Sequence, residues 1–225
     1  MNSILLSKGK KIYFTSDHHF GAPTKEASKP REKKFVKWLD HIKKDAQVLF
    51  ILGDLFDFWF EYKYAAPKGF TRVIGKLAEL SDEGIDIHFF VGNHDMWMRG
   101  YLEQEVNMKI YYKPHEFNIN NKKFYIGHGD GLGPNDKGYK RLKKVFKNSF
   151  FNWLYRWLHP DLGIRFAQYL SLKNKLISGS EDLKFVGKEQ EWLTQYARKK
   201  LKENHFDYFI FGHRHLPLEV ELSLG

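Results

Sequence analysis

The chain contains no cysteine, which excludes a disulfide-stapled scaffold, a thiolate metal site and a cysteine nucleophile. No apolar run approaches the roughly 20 residues that span a bilayer. Residues 1–11 hold no apolar core of a secretory leader ahead of their lysines. Proline is sparse, at 7 of 225 residues, and no Pro/Gly/Ser linker or internal repeat divides the chain. Acidic residues are outnumbered, 27 against 37 Lys and Arg, for a formal charge of +10. These absences leave one globular domain over residues 1–225, expected in the cytoplasm. Aromatic residues, at 17%, and positive charge are in excess. The charge points to an anionic partner: nucleic acid, an anionic membrane surface or a phosphorylated substrate.

Short apolar runs, each closed by a polar cluster, recur along the chain. Residues 12–16 lead into Asp17-His18-His19, residues 48–52 into Gly53-Asp54, and residues 87–91 into Gly92-Asn93-His94-Asp95. Residues 124–126 lead into Gly127-His128-Gly129-Asp130, and 208–211 into Gly212-His213-Arg214-His215. Aromatic and β-branched runs of this length, ended by Gly, read as strands buried on both faces. Helical spacing follows an early-helix Pro30 at Phe35, Val36, Leu39 and Ile42, and recurs at Phe70–Leu80 and Trp192–Leu201. Asn120-Asn121 centres a hairpin over residues 116–125. Strands alternating with helices predict an α/β core with mixed strand direction.

Ligands of open α/β sheets gather beyond the carboxyl ends of strands, where all five clusters sit. Six of the eleven histidines fall in these clusters, which occupy 20 of 225 positions. Even scatter would put about one there. A single Gly-Asp or Gly-His after a strand is ordinary turn chemistry; an ordered set of five is not. Imidazole and carboxylate without sulfur suit Mn, Fe, Zn or Co, and the set is large enough for two ions sharing a carboxylate.

The ordered motifs Asp17-His18-His19, Gly53-Asp54-Leu55-Phe56-Asp57, Gly92–Asp95, Gly127–Asp130 and Gly212–His215 resemble those of the calcineurin-like metallophosphoesterase superfamily. The resemblance spans residues 13–215 and implies an α/β fold, a two-sheet sandwich flanked by helices. It implies one ion on Asp17, His19, Asp54 and His215, and a second on Asp54, Asn93, His128 and His213, with Mn²⁺ the expected metal. A hydroxide held between the ions would attack phosphorus. His94 would meet the developing charge or protonate the leaving oxygen, and Asp95 would orient it. Asp57 and Asp130 would fix ligating histidines from behind. Asn93-His94-Asp95 departs from the Asn-His-Glu of Ser/Thr protein phosphatases and argues against that branch.

Residues 136–175 hold ten Lys/Arg and two acids, +8 of the total +10. Leu142, Val145, Phe146, Phe150, Trp153, Leu154, Trp157 and Leu158 make one apolar stripe on a single helix that ends at Pro160, and a second amphipathic segment follows from Leu162. A basic amphipathic helix with Trp and Phe on one face reads as a membrane-surface element. Placed soon after Asp130, it reads as a helical cap, residues 136–178, over the metals. Here the resemblance narrows to the UDP-2,3-diacylglucosamine pyrophosphohydrolases of lipid A synthesis. In that branch an Asp and a Tyr stand eight and eleven residues past the histidine of His-Gly-Asp, as Asp136 and Tyr139 do past His128. The implied reaction is attack of water on the α-phosphorus of the UDP group, giving UMP and 2,3-diacylglucosamine 1-phosphate. Asp136, Tyr139, Lys175, Trp153 and Trp157 are the expected substrate contacts. The expected location is peripheral, on the inner face of the inner membrane. Many members of the branch carry Arg in place of His94, and Ser171 and Asn174 replace its cap Arg and Ser. The chain ends ten residues past His215, where the branch continues with further strand.

A nuclease of the same superfamily is the runner-up, because phosphate backbones also attract positive charge. A nuclease groove would spread its Lys and Arg, whereas here they surround an aromatic stripe; nucleic acid is therefore disfavoured as a partner. An inactive scaffold would have lost ligands, and every ligand position is filled. No obligate protein partner is evident.

Overall fold

The computed structural model describes residues 2–133, 137–167, 169 and 185–222, without the side chains of Lys137, Tyr139 and Leu142. Its first half alternates strand and helix: β1 (Asn2–Ile4), β2 (Lys11–Thr15), α1 (Lys25–Ile42), β3 (Ala46–Ile51), α2 (Thr71–Asp82), β4 (Asp86–Phe90), α3 (Tyr101–Val106) and β5 (Lys109–Tyr111). A hairpin follows, β6 (His115–Ile119) and β7 (Lys122–Gly127), then α4 (Lys137–Lys147), α5 (Ser149–Arg156) and α6 (residues 160–167). Helix α7 (Trp192–Glu203) leads into β8 (Tyr208–Phe211).

Helical crossovers make strands parallel, so β2, β3, β4 and β5 form one all-parallel sheet in that order. The second sheet has the order β1-β6-β7-β8, antiparallel only at the β6/β7 hairpin. Strand β3 shows why the runs carry no polar face. Val48, Phe50 and Leu52 pack against Phe117, Ile119 and Ile126 of the other sheet. The alternate residues Leu49 and Ile51 pack with Phe35 and Leu39 of α1 and Val73 and Leu77 of α2. Helix α7 covers the far side of the second sheet, where Tyr196 meets Tyr125 (hydroxyls 2.8 Å apart) and Phe211. The layers are therefore helix, sheet, sheet, helix.

Two expectations need correction. Helix α1 starts five residues before Pro30, because Thr24 caps it, its Oγ1 accepting the Ala27 N–H at 3.2 Å. Pro30 lies in the second turn, where it leaves only the Glu26 carbonyl without its i+4 donor. The apolar stripe after residue 142 is not one helix. Asn148 breaks it, its side-chain oxygen accepting from the N–H of Phe150 (2.9 Å) and Phe151 (3.4 Å) to cap α5. Pro160 occupies the first position of α6. Within the cap expected over residues 136–178, Asp136, Lys175 and the Tyr139 side chain lie outside what is described.

The hairpin turn is as expected, with Asn120 and Asn121 at φ 48° and 64°, the mirror-image turn whose twist suits flanking strands. Asn121→Val should lower stability by about 1–2 kcal/mol, and Asn121→Gly should not; urea unfolding of both variants measures the difference.

Candidate metal centre

The five motif loops leave the carboxyl ends of β2, β3, β4, β7 and β8 and meet astride the two sheets. Backbone and side-chain bonds lace them together. Leu52 carbonyl, at the end of β3, takes His128 Nδ1–H (2.6 Å) and Ser16 Oγ–H (3.1 Å). Asp17 Oδ2 accepts the His213 N–H at 2.8 Å. Asp17, His19, Asp54 and His213 all have positive φ, 56°, 46°, 51° and 69°. Each such conformation costs on the order of 1–3 kcal/mol and persists only where its surroundings over-determine it. Two motif glycines are there for space. A Cβ on Gly53, itself at φ 88°, would stand 2.6 Å from His128 Nδ1, and one on Gly92 would collide with Asp54 Oδ1.

Three overlapping groups result, Asp17–His19–His215, His19–Asp54–His94 and Asp54–His128–His213, each with ligand atoms within 4.8 Å of one another. His19 Nε2 and His215 Nε2 face each other at 3.0 Å. Asp54 Oδ2 lies between the outer groups, 3.8 Å from His19 Nε2 and 3.3 Å from His128 Nε2. Asn93 Oδ1 is 3.1 Å from His128 Nε2. The sequence-expected ligands are thus brought to one place.

The residues fit cations. Asp17 Oδ1 is buried without a hydrogen-bond partner. The Leu52 carbonyl can only accept, so it fixes the first proton of His128 on Nδ1 and turns the Nε2 lone pair toward two oxygens that also only accept. A cation belongs between them. Without a metal a second proton serves: burial alone would lower His128, but the Asp54 charge raises it to about 10. Burial and the His128 charge push His213 down to about 4, leaving it neutral. Burial alone would raise Asp54, yet His128 and His94 hold it well below the usual carboxylate range.

The surrounding side chains divide into those expected and those not. Asp57 Oδ1 sits behind the cluster, 3.6 Å from His19 Nδ1 and 3.8 Å from His94 Nδ1. His94 Nδ1–H goes to the Asp57 carbonyl at 2.8 Å. Asp95 was expected to orient His94 and is instead a fastener between loops: its two oxygens accept the N–H of Gly92 and of Leu55, each at 2.8 Å. Asp130 takes Lys143 Nζ of α4 at 2.5 Å, an anchor between cap and centre that no motif announced. His18, counted among the six motif histidines, leaves the cluster. It packs on Phe20 and Phe35, with ring centroids 5.1 and 4.4 Å away, and burial pushes it down to about 4.

A cavity of about 900 Å³ opens on Asp17, His19 and His215, walled by Leu193, Phe209 and Phe211, ample for a nucleotide-sized group. Trp153 and Trp157 do not line it. They lie on α5 and just past its end, are 51% and 74% exposed, and pack on each other. No helix among the described residues is long and apolar enough to cross a membrane.

Metal binding should release protons, because an ion needs the Nε2 lone pair that His128 keeps protonated below about pH 10. The sign is fixed: apparent affinity rises with pH between 6 and 9. Calorimetric Mn²⁺ titration of metal-free protein, in buffers of different ionisation heat, should show about one proton released.

The model of the calcineurin-like phosphoesterase family matches residues 10–217. A UDP-2,3-diacylglucosamine hydrolase of Porphyromonas gingivalis is 37% identical over 226 residues, covering 94% of this chain and 86% of that protein. Proteins of the same name from Shewanella sp. and Histophilus somni are 28% and 25% identical, covering 94% and 92% of this chain and 84% of each relative. A solved phosphoesterase from E. coli aligns with a TM-score of 0.35 at 21% identity, over 55% of this chain and 59% of that one. With the family match running through all five motif loops, the chain belongs to the calcineurin-like phosphoesterase family.

Proposed function

We propose that the chain hydrolyses UDP-2,3-diacylglucosamine at its pyrophosphate bond, releasing UMP and 2,3-diacylglucosamine 1-phosphate. The observation that carries the reading is the company the metal cluster keeps. Ligand atoms for two ions lie beside a basic cap whose α5 and α6 expose Phe150, Trp153, Trp157, Leu162 and Phe166. Phosphate chemistry next to a large aromatic surface suits a substrate with both a phosphoanhydride and hydrocarbon. The relatives named for this activity match nearly the whole chain.

The residues divide the work by position. Asp17, His19, Asp54 and His215 would hold one Mn²⁺, and Asp54, Asn93, His128 and His213 the other. Two such ions supply an activated water and polarise the phosphoryl oxygens. His94 has Nδ1–H committed to the Asp57 carbonyl, so its other nitrogen is the one offered to the phosphoryl group or the leaving oxygen. Asp57 would steady His19 electrostatically from behind, and Asp130 joins the centre to the cap through Lys143. No protein nucleophile is needed. Asp136, Tyr139 and Lys175 are assigned to the substrate by the resemblance alone.

Trp153 and Trp157 take a different role from the substrate contact expected of them. Exposed apolar patches of this size mark an interaction surface, and helices with Trp and Phe outward and Lys and Arg nearby insert at the headgroup boundary of anionic lipid. The cap would seat the enzyme on the inner face of the membrane, where an amphiphilic substrate lies.

Purified protein with Mn²⁺ and UDP-2,3-diacylglucosamine should release UMP. Asp54→Asn should abolish release while the circular dichroism stays unchanged. No UMP, alongside robust cleavage of DNA or of a simple nucleotide, would sink the reading. For the cap, the Trp153→Ser/Trp157→Ser pair should lose co-sedimentation with phosphatidylglycerol vesicles while keeping its fold. Retained sedimentation would remove the cap from the membrane contact.

A further inference from the structure

Two motif loops leave edge strands: the one after β2 bonds along the β3 loop, with Asp17, His19 and Phe20 N–H on the Gly53, Asp54 and Leu55 carbonyls, and the other, after β8, carries His213 and His215. Strand β8, which delivers it, pairs only with β7 among the described residues. Yet the loop must aim His213 into one group of ligand atoms and His215 into another, with His213 at φ 69°. Between them stands Arg214. Its Nε–H donates to Glu191 Oε2 at 3.0 Å and its Nη2–H to Oε1 at 3.2 Å. This is the planar two-pronged match of guanidinium and carboxylate, which fixes direction as well as distance.

Glu191 is 2% exposed and immediately precedes α7. Its neighbour Trp192 sets its ring across that of His213, 5.8 Å between centroids at 71°. Glu191 Oε1 also accepts the Val186 N–H at 3.3 Å. Burial alone would raise the Glu191 carboxyl, but Arg214 holds it below its ordinary value. As a stabiliser a buried pair returns little, because desolvation offsets most of the attraction. What it supplies here is orientation of a loop that leaves an edge strand.

We infer that Glu191 and Arg214 are a positioning pair for the metal centre, setting its affinity for divalent ions by fixing the loop between His213 and His215. The pair acts through those two histidines, and both residues also line the cavity beside them. The inference rests on the two-ion reading of the cluster and is independent of which phosphoester is cleaved.

Two variants test it. Glu191→Gln keeps the shape and removes the charge; Arg214→Lys keeps the charge and removes the fork. Metal-free protein is titrated calorimetrically with Mn²⁺, and circular dichroism and thermal midpoint are recorded beside it. Each variant should bind Mn²⁺ about 10–100-fold more weakly, as removal of an outer partner of a metal ligand does. The double variant should lose no more than the worse single, because both break the same contact. Excess Mn²⁺ should restore turnover, which a merely structural defect would not allow. Should Glu191→Gln fail to fold, Arg214→Lys carries the test. Folded variants with wild-type Mn²⁺ affinity would overturn the inference, and wild-type protein that binds no divalent ion would overturn it together with the two-ion reading. Absence of UMP release alone would count only against the substrate, since the titration contains none.

Discussion

A carboxylate at 1% exposure, as Asp54 is, survives only where charge or donors meet it. Its surroundings meet that demand from every side. Oδ1 accepts the His94 N–H at 2.9 Å, and Oδ2 faces His128 and His19. Its own carbonyl accepts the His19 N–H at 2.9 Å. Strand order makes this possible. β3 lies between β2 and β4 in its sheet, and Phe50 and Leu52 press it against the other. A residue just beyond β3 is therefore the one position that can touch the loops after β2, β4 and β7 together. The absence of a Cβ at Gly92 follows from the same crowding, because Asp54 Oδ1 occupies that space.

The arrangement is strained, and the strain locates the function. Among the described residues other than glycine, positive φ occurs at eight positions: the turn residues Asn120 and Asn121, the α3 cap Asn107, Phe70, and then Asp17, His19, Asp54 and His213. At about 1–3 kcal/mol each, these four would unravel a loop held by its own bonds. They persist because two hydrophobic layers lie directly beneath, one between the sheets and one under α1 and α2. The core sets the strand ends at fixed separations, and the loops conform to them. Ligand atoms held this way are in place before an ion arrives, so binding need not order the chain as well.

What could be read along the chain was whatever a short stretch decides by itself. A strand end followed by Gly and a ligand is such a case, and Asn120-Asn121 is another. Position in a motif did not decide direction: His18 and His19 are adjacent, yet His18 turns to Phe35 because α1 packs there. Nor did composition separate Asp95 from an orienting carboxylate, since its partners are backbone N–H groups of Gly92 and Leu55. Asn148 lay hidden in an unbroken apolar period, where a single side-chain cap outweighed about two turns of helical spacing. Glu191 and Arg214 are 23 residues apart in sequence and meet only because α7 folds back against β8. Local chemistry was legible, whereas contacts made by the packing of one element on another were not.

The cap charge shows the same division. Read as a sum, +8 in forty residues suggests a uniformly basic surface. In the structure α4 turns part of it inward, with Lys143 on Asp130 and Lys140 on the Gly133 carbonyl, both in the loop after β7. The carbonyl of Phe146 accepts Trp97 Nε1–H at 3.0 Å, two residues past Asp95. Arg141, Lys144 and Arg165 stay exposed, and α5 adds its outward Trp and Phe rings. The cap is thus two-sided: lysines grip the loops of the metal centre, and arginines, lysines and aromatics face away from it. Attraction of exposed cations to an anionic surface fades within about 10 Å at 0.1 M salt, so on the proposed seat steering and seating would fall to different groups. On the proposed membrane seat, charge would bring the cap to the surface and the aromatic rings would hold it there, while the Lys143–Asp130 contact joins the cap to the metal centre.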